Sequence, residues 1–214
     1  MRQKKFLVVI PARKGSKRLK NKNILKINGK SLIQKTIDFA LKIENVKHIL
    51  ISSDINNINK YITSNKKVLI PWLRPKKLST DKSKTEDVLY HAINWYKKKF
   101  NNIDGIILLQ TTSPIRSLKL TNKAISKYLL TKKSVLSVKK ITFNKKNDKK
   151  NIRKKNQLYN PNGSIYIFSQ NQILKKKEIY NQKSNLIIEN NYYRNIDIDH
   201  KKDFDKAKKF IIKN

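Results

Sequence analysis

The sequence predicts an α/β fold with a mainly parallel, twisted sheet covered by helices on both faces. Three observations carry that expectation. Apolar residues gather into short β-branched runs instead of being diluted along the chain. Segments with helical spacing fall between those runs, as right-handed βαβ units require. The chemically informative residues follow the ends of the runs, where open α/β sheets bind ligands.

The first run, 6–10, is continuously apolar and reads as a strand buried on both faces, leading into a basic loop, 11–23. Leu32, Ile33, Thr36, Ile37, Ala40 and Leu41 then follow helical spacing over 31–43, with Ser31 as the expected N-cap. A second strand is expected at 48–52, a helix capped by Asp54 through Ile62, and a short strand at 67–71. Val88, Leu89, Ala92, Ile93 and Tyr96 mark a long helix. An apolar strand at 105–110 leads through the Ser113-Pro114 turn to a helix at 121–130, and further strands are expected at 134–138 and 164–168. Ile196, Ile198 and an amphipathic helix through Phe204, Ala207, Phe210 and Ile211 close the chain.

A length of 214 residues suits one domain spanning 1–214 and rich enough in apolar residues, at 38%, to bury a core. Between 139 and 160 lysine and asparagine dominate, so a mobile loop or hairpin is expected there, a candidate dimerisation extension. With no cysteine, disulfides, thiolate metal sites and cysteine nucleophiles are excluded. The 6–10 run is too short for a signal-peptide core, and no run approaches the ~20 apolar residues that span a bilayer, so a cytoplasmic protein without membrane attachment is expected. The net charge of +37 would ordinarily suggest a nucleic-acid partner. Here the charge is spread along the whole chain beside asparagine and isoleucine, all three residue types having A/T-rich codons, and only 139–155 forms a block. Nucleic acid is therefore not the expected partner.

Two constellations suggest chemistry. Arg13, Lys14, Gly15, Ser16, Lys17 and Arg18, followed by Lys22 and Asn23, sit directly after the first strand. A glycine there lets backbone N–H groups approach phosphates whose charge Arg13 and Lys22 would offset, although any such loop in a lysine-rich chain looks basic. Gly29-Lys30-Ser31 is not the end of a Walker A loop, because Ile24 stands where that motif needs glycine. The second constellation is Asp197-Ile198-Asp199, where an extended backbone turns both carboxylates to one face. Such a pair suits magnesium, with water and phosphate completing its shell; equally, Asp199 or Asp203 could cap the closing helix.

Five blocks in order extend these clues: 10–19 with Lys22-Asn23; Leu73-Arg74-Pro75 with Leu78-Ser79-Thr80-Asp81; 108–116; Asn162-Gly163-Ser164-Ile165-Tyr166-Ile167; and Asp197-Ile198-Asp199 with Asp203-Phe204. Together they closely resemble the acylneuraminate cytidylyltransferases, the CMP-sialic acid synthetases, including those for legionaminic and pseudaminic acids. The resemblance implies a three-layer nucleotidyltransferase (Rossmann-like) fold and transfer of CMP from CTP to the anomeric hydroxyl of an acidic nine-carbon sugar, releasing pyrophosphate. It implies nucleotide binding by Ala12, Arg13, Ser16, Lys22, Asn23, Arg74 and Thr85, with Arg74 and Thr85 facing cytosine. Gln110, Ser113 and Arg116 fall to the sugar acid, the latter two more as loop-shaping residues. Asp197 and Asp199 fall to Mg2+, and Arg13, Lys22 and Asp199 to catalysis. Members are typically homodimers. The chain departs from the pattern at Thr111 and Lys20, where prolines are usual, and at Asn160, where some members carry arginine. A 3-deoxy-octulosonate cytidylyltransferase and an inactive basic nucleic-acid binding protein are the alternatives.

Overall fold

The computed structural model describes residues 4–100, 103–141, 151–154 and 157–213. In chain order the elements are β1 (Phe6–Ala12), a small hairpin of β2 (Lys26–Ile27) and β3 (Lys30–Ser31), α1 (Leu32–Leu41), β4 (Val46–Ser53), β5 (Val68–Leu69), α2 (Thr85–Lys99), β6 (Gly105–Leu108) and α3 (Leu118–Thr131). Then come β7 (Val135–Ile141), β8 (Ile152–Lys154), β9 (Gln157–Phe168), α4 (Gln170–Lys176), β10 (Asn185–Ile188) and α5 (Lys201–Lys213). The main sheet runs β10-β7-β9-β6-β1-β4-β5, with β8 paired to β9. All its other pairings are parallel; β9 alone runs against its neighbours β6, β7 and β8.

The alternation of side chains along β1 builds the three layers. Phe6, Val8, Ile10 and Ala12 enter one core cluster with Ile33 and Ile37 of α1 and Ala124 and Tyr128 of α3. Leu7 and Val9 enter another with Leu89, Ala92, Ile93 and Tyr96 of α2 and Ile173 of α4. At roughly 1.5–3 kcal/mol per buried large apolar side chain, these two clusters supply most of the drive to fold. A third cluster joins Ile27 of the hairpin, Leu32, Ile115, Ile198, Phe204 and Ala207, and it pins the C-terminal segment against the hairpin and the start of α1.

Local signals explain the helix starts. Ser31 caps α1, its Oγ accepting from the Gln34 N–H at 3.0 Å. Ser117 caps α3 in the same way, so that helix begins three residues before the 121–130 periodicity suggests. Acidic Glu86 and Asp87 in the first turn of α2, and Lys97, Lys98 and Lys99 in its last, complement the helix dipole.

The structure corrects one helix. Asp54 caps nothing: its Oδ1 accepts from the Lys14 N–H at 2.7 Å, and 3-10 geometry over Ile58–Tyr61 replaces the expected helix. The carboxylate is drawn to the basic loop, and Asn57 with φ 54 leads into the short turn instead. Strand β6 also ends at Leu108, two residues early, because Gln110 accepts from the Ser113 N–H in a turn. Within 139–160 the described residues include antiparallel strand, with Lys139 opposite Asn160, Ile141 opposite Leu158 and Ile152 opposite Tyr159. Residues 142–150 and 155–156 of that stretch lie outside the described residues. Neither α4 nor β10 is signalled by the sequence, since α4 buries only Ile173 and β10 has four residues at the sheet edge. No helix of the described residues is long and apolar enough to cross a membrane.

Gly105 shows how tightly the core closes. A Cβ there would lie 2.7 Å from Cε1 of Tyr128 and 2.8 Å from Cε1 of Phe6. Gly105→Ala is therefore expected to lower unfolding free energy by roughly 1–3 kcal/mol, read as a fall in the urea midpoint. An unchanged midpoint would contradict the packing of Phe6 against Tyr128.

Candidate active site

A cleft of about 370 Å³ opens beyond the C-terminal ends of the parallel strands β1 and β6. Its walls come from four places: the loop after β1, residues 74–88, residues 110–112 after β6, and Asp197 with Asp199.

The basic loop and the acidic segment meet directly. Lys22 Nζ lies 2.9 Å from Asp199 Oδ1 and donates to the Ile198 carbonyl at 3.1 Å, while Arg18 Nη2 lies 2.8 Å from Asp199 Oδ2. A second cluster forms around Asp81, whose carboxylate lies 2.6 Å from Arg13 Nη1 and 3.1 Å from Lys17 Nζ. The ammonium of Lys17 and the guanidinium of Arg13 hold the Asp81 carboxyl below the usual carboxylate range. These pairs are part-exposed, hence weak in water, and a phosphate could replace either acid.

Packing fixes the loop behind them. Asn23 is buried, its Nδ2 donates to the Arg13 carbonyl at 2.6 Å, and its Oδ1 accepts from the Thr111 hydroxyl, tying the β1 loop to the β6 loop. The Thr112 carbonyl accepts from the Ile198 N–H at 2.7 Å, which sets the acidic segment beside the same loop. Buried Ile198 anchors that segment and leaves Asp197 and Asp199 on the cleft. The helix cap belongs to Asp203: its Oδ2 accepts from the His200 N–H at 2.8 Å and the Asp199 N–H at 3.2 Å, so neither Asp197 nor Asp199 is needed there.

Asp197 is exposed on the cleft, and the protein close behind it partly desolvates its carboxylate. That desolvation holds its carboxyl above the ordinary range; a hydrogen bond from Thr112 opposes the shift, and the neighbouring Asp199 charge adds to it. Two adjacent carboxylates, one reluctant to ionise beside the other, fit a hard divalent cation that would offset both charges. Among the described residues no group of three or more acids or histidines that could hold a metal converges, so any ion here would rely on water and ligand oxygens for the rest of its shell.

Arg74 is buried, with its N–H donating to the Ser53 carbonyl at 2.6 Å and its Nη2 to the Ser52 carbonyl at 2.9 Å. Its Nε is buried without a hydrogen-bond partner among the described residues. Thr85, at the start of α2, and Gln110 also line the cleft. Four expected site residues stand off the lining. Ala12 is fully buried in the core, and Ser16 lies outside the cleft wall. Ser113, fully buried, donates to the Asn162 carbonyl at 3.1 Å. Arg116 donates through Nε to the Ser164 carbonyl at 3.0 Å and through Nη2 to the Gln110 carbonyl. Burial pushes its guanidinium down to about 9, still charged at neutral pH, so it braces the Gln110 turn against β9 from behind. Gly15 has ordinary φ and open space where a Cβ would be, so nothing in the protein's own packing demands glycine there; a ligand pressed on the backbone would.

Arg18, Asp81 and Thr111 are site residues that sequence reasoning left without roles, although all three lie in the quoted blocks. Asp81 carried a usable signal, as one of only 14 acids against 51 basic residues.

Fold comparison gives the class first: the chain has a nucleotidyltransferase fold. A solved CMP:2-keto-3-deoxy-manno-octonic acid synthetase complexed with CTP superimposes with TM-score 0.70 at 15% identity, covering 98% of this chain and 99% of that one. A 4-diphosphocytidyl-2C-methyl-D-erythritol synthase gives 0.71 at 11%, covering 97% and 99%. The chain belongs to the cytidylyltransferase family, whose model matches residues 7–213. Among its relatives, the CMP-N,N'-diacetyllegionaminic acid synthase of Legionella pneumophila is 34% identical over 91% of both chains. The N-acylneuraminate cytidylyltransferase of Escherichia coli is 29% identical over 95% of this chain and 51% of that one.

Gly163 ties this geometry to stability. Its φ is +76°, and a Cβ would fall 2.6 Å from Gln110 Oε1 and 2.7 Å from Ser113 Oγ. Gly163→Ala is expected to lose roughly 1–3 kcal/mol of unfolding free energy in urea titration. Full stability would contradict the seating of Gln110 against this backbone.

Proposed function

We propose that the protein transfers CMP from CTP to the anomeric hydroxyl of a nonulosonic acid and releases pyrophosphate. The observation that carries the reading is the meeting of Arg18 and Lys22 with Asp199 in a cleft also lined by Arg13, Arg74 and Asp197. The 34% identity to a CMP-diacetyllegionaminic acid synthase across 91% of both chains supports the substrate class. Likenesses at 15% identity or below bear on fold alone.

In this reading the sugar hydroxyl oxygen forms a bond to the α-phosphorus in line with the bond that breaks. Pyrophosphate leaves with the electron pair, and the hydroxyl proton passes to a carboxylate of the pair or to cleft water. Such transfer depends on positioning and charge neutralisation more than on covalent help. Arg13, Lys22 and the neighbouring Arg18 exchange their carboxylate partners for triphosphate oxygens and stabilise the charge that develops on the leaving group. Asn23 holds the loop that carries them, and backbone beside Gly15 meets the phosphates closely. Arg74 and Thr85, both on the cleft wall, face the cytosine. Gln110 holds the sugar acid at its end of the cleft. Asp197 and Asp199 would hold a divalent ion, magnesium by the hardness of the donors, which when bound neutralises phosphate charge.

Purified protein incubated with magnesium, CTP and diacetyllegionaminic, sialic or pseudaminic acid is expected to release pyrophosphate with at least one of them. Release with none would overturn the reading. Asp199→Asn and Arg13→Ala should each cut kcat by about 10²–10³, some 2.7–4 kcal/mol of transition-state stabilisation, while folding is retained. Near-parental turnover in either variant would remove that residue from the mechanism.

A further inference from the structure

A second hollow, of about 500 Å³, adjoins the nucleotide cleft, and Asp197 is a wall of both. An acceptor must reach the α-phosphate beside the carboxylate pair, so a hollow that meets the cleft at Asp197 is a direct approach. Its walls include Lys139 and Lys140 of β7, Asn195 and Lys206.

The charges of this hollow are unevenly committed. Of its other acids, Glu189 is buried, accepts from the Asn191 N–H at 2.9 Å and lies 4.0 Å from Arg194; Asp203 is occupied in capping α5. Lys206 reaches the Tyr192 hydroxyl at 3.4 Å, and Lys140 is exposed. Lys139 differs from both. It is half-buried, it has no carboxylate within ion-pair distance among the described residues, and its charge is felt at Asp197. A half-buried lysine whose electrostatic neighbour, Asp197, lies beyond ion-pair distance favours an anionic ligand. Strand geometry also holds it in place: Lys139 stands directly across from Asn160 in the β7–β9 pair, on the same face, and Asn160 is itself fixed by a 2.8 Å hydrogen bond to Asn151 Oδ1.

We propose that Lys139 seats the carboxylate of the acceptor sugar, which makes it a specificity-determining residue for acidic over neutral acceptors. The proposal rests on the CMP-transfer reading above. An ammonium–carboxylate contact at this point places the sugar acid beside Asp197.

The test compares parent, Lys139→Met, Lys139→Gln and Lys139→Arg proteins, each checked for thermal melting. The substrates are CTP, magnesium and the nonulosonic acid that the parent turns over. KM for the sugar acid should rise at least about tenfold in the Met and Gln variants, with KM for CTP within about twofold, and recover in the Arg variant. The carboxamide analogue of the same sugar discriminates charge from shape: the parent should handle it about as poorly as Lys139→Met does, and the two should differ only with the acid. An unchanged KM for the acid in Lys139→Met or Lys139→Gln would overturn the assignment, as would an equal loss with acid and amide. If the parent releases no pyrophosphate with any nonulosonic acid, the CMP-transfer reading falls and takes this seat with it.

Discussion

Lys22 and Asp199, 177 positions apart, meet in one ion pair, and the apolar burial that brings them together is what the rest of the site depends on. It brings the two ends of the fold into one cleft, with cations from the start of the chain against carboxylates from its end. The pair itself is part-exposed and contributes little to stability. What holds it is apolar: Ile198, Phe204 and Ala207 pack with Ile27 and Leu32, so burial of α5 against the hairpin fixes where the acids point. Polar groups then set the register, with the Ile198 N–H on the Thr112 carbonyl and Asn23 bridging the β1 and β6 loops.

The cations of the cleft are paired with the protein's own acids. Asp199 takes Arg18 and Lys22, and Asp81 takes Arg13 and Lys17. This arrangement limits mutual repulsion in a chain of net charge +37 and keeps the cations gathered at one place. Since the pairs are solvent-screened, a polyanion can displace the acids at small cost. Buried groups such as Arg116 and Ser113 do the opposite kind of work, bracing the cleft from behind where exchange with solvent is blocked.

Much of the fold was legible because physical signals coincided. The 6–10 run is an interior strand of the sheet, as continuous apolarity demands, and Ser31 caps α1 where its hydroxyl was expected. Failures have the opposite cause. Asp54 looked like a helix cap because sequence shows its type but not the Lys14 N–H that claims it. Elements α4 and β10 were missed because single anchors such as Ile173 and Ile187 carry them among lysines and asparagines. In the site, Arg13, Lys22, Asn23, Arg74, Thr85, Gln110, Asp197 and Asp199 do share one cleft. Ordered motifs singled these residues out, and the fold brings them together. Ser113 and Arg116, expected to shape their loop more than to meet the sugar acid, stand behind the wall on backbone carbonyls.

If both ends of the chain bind one metal-associated nucleotide, equilibrium CTP binding measured with and without magnesium shows it most directly. The parent should bind CTP more tightly with the metal. An Asp197→Asn/Asp199→Asn double variant should lose that metal dependence while keeping measurable metal-free binding through Arg13 and Lys22. Metal dependence that persists undiminished in the double variant would contradict the account.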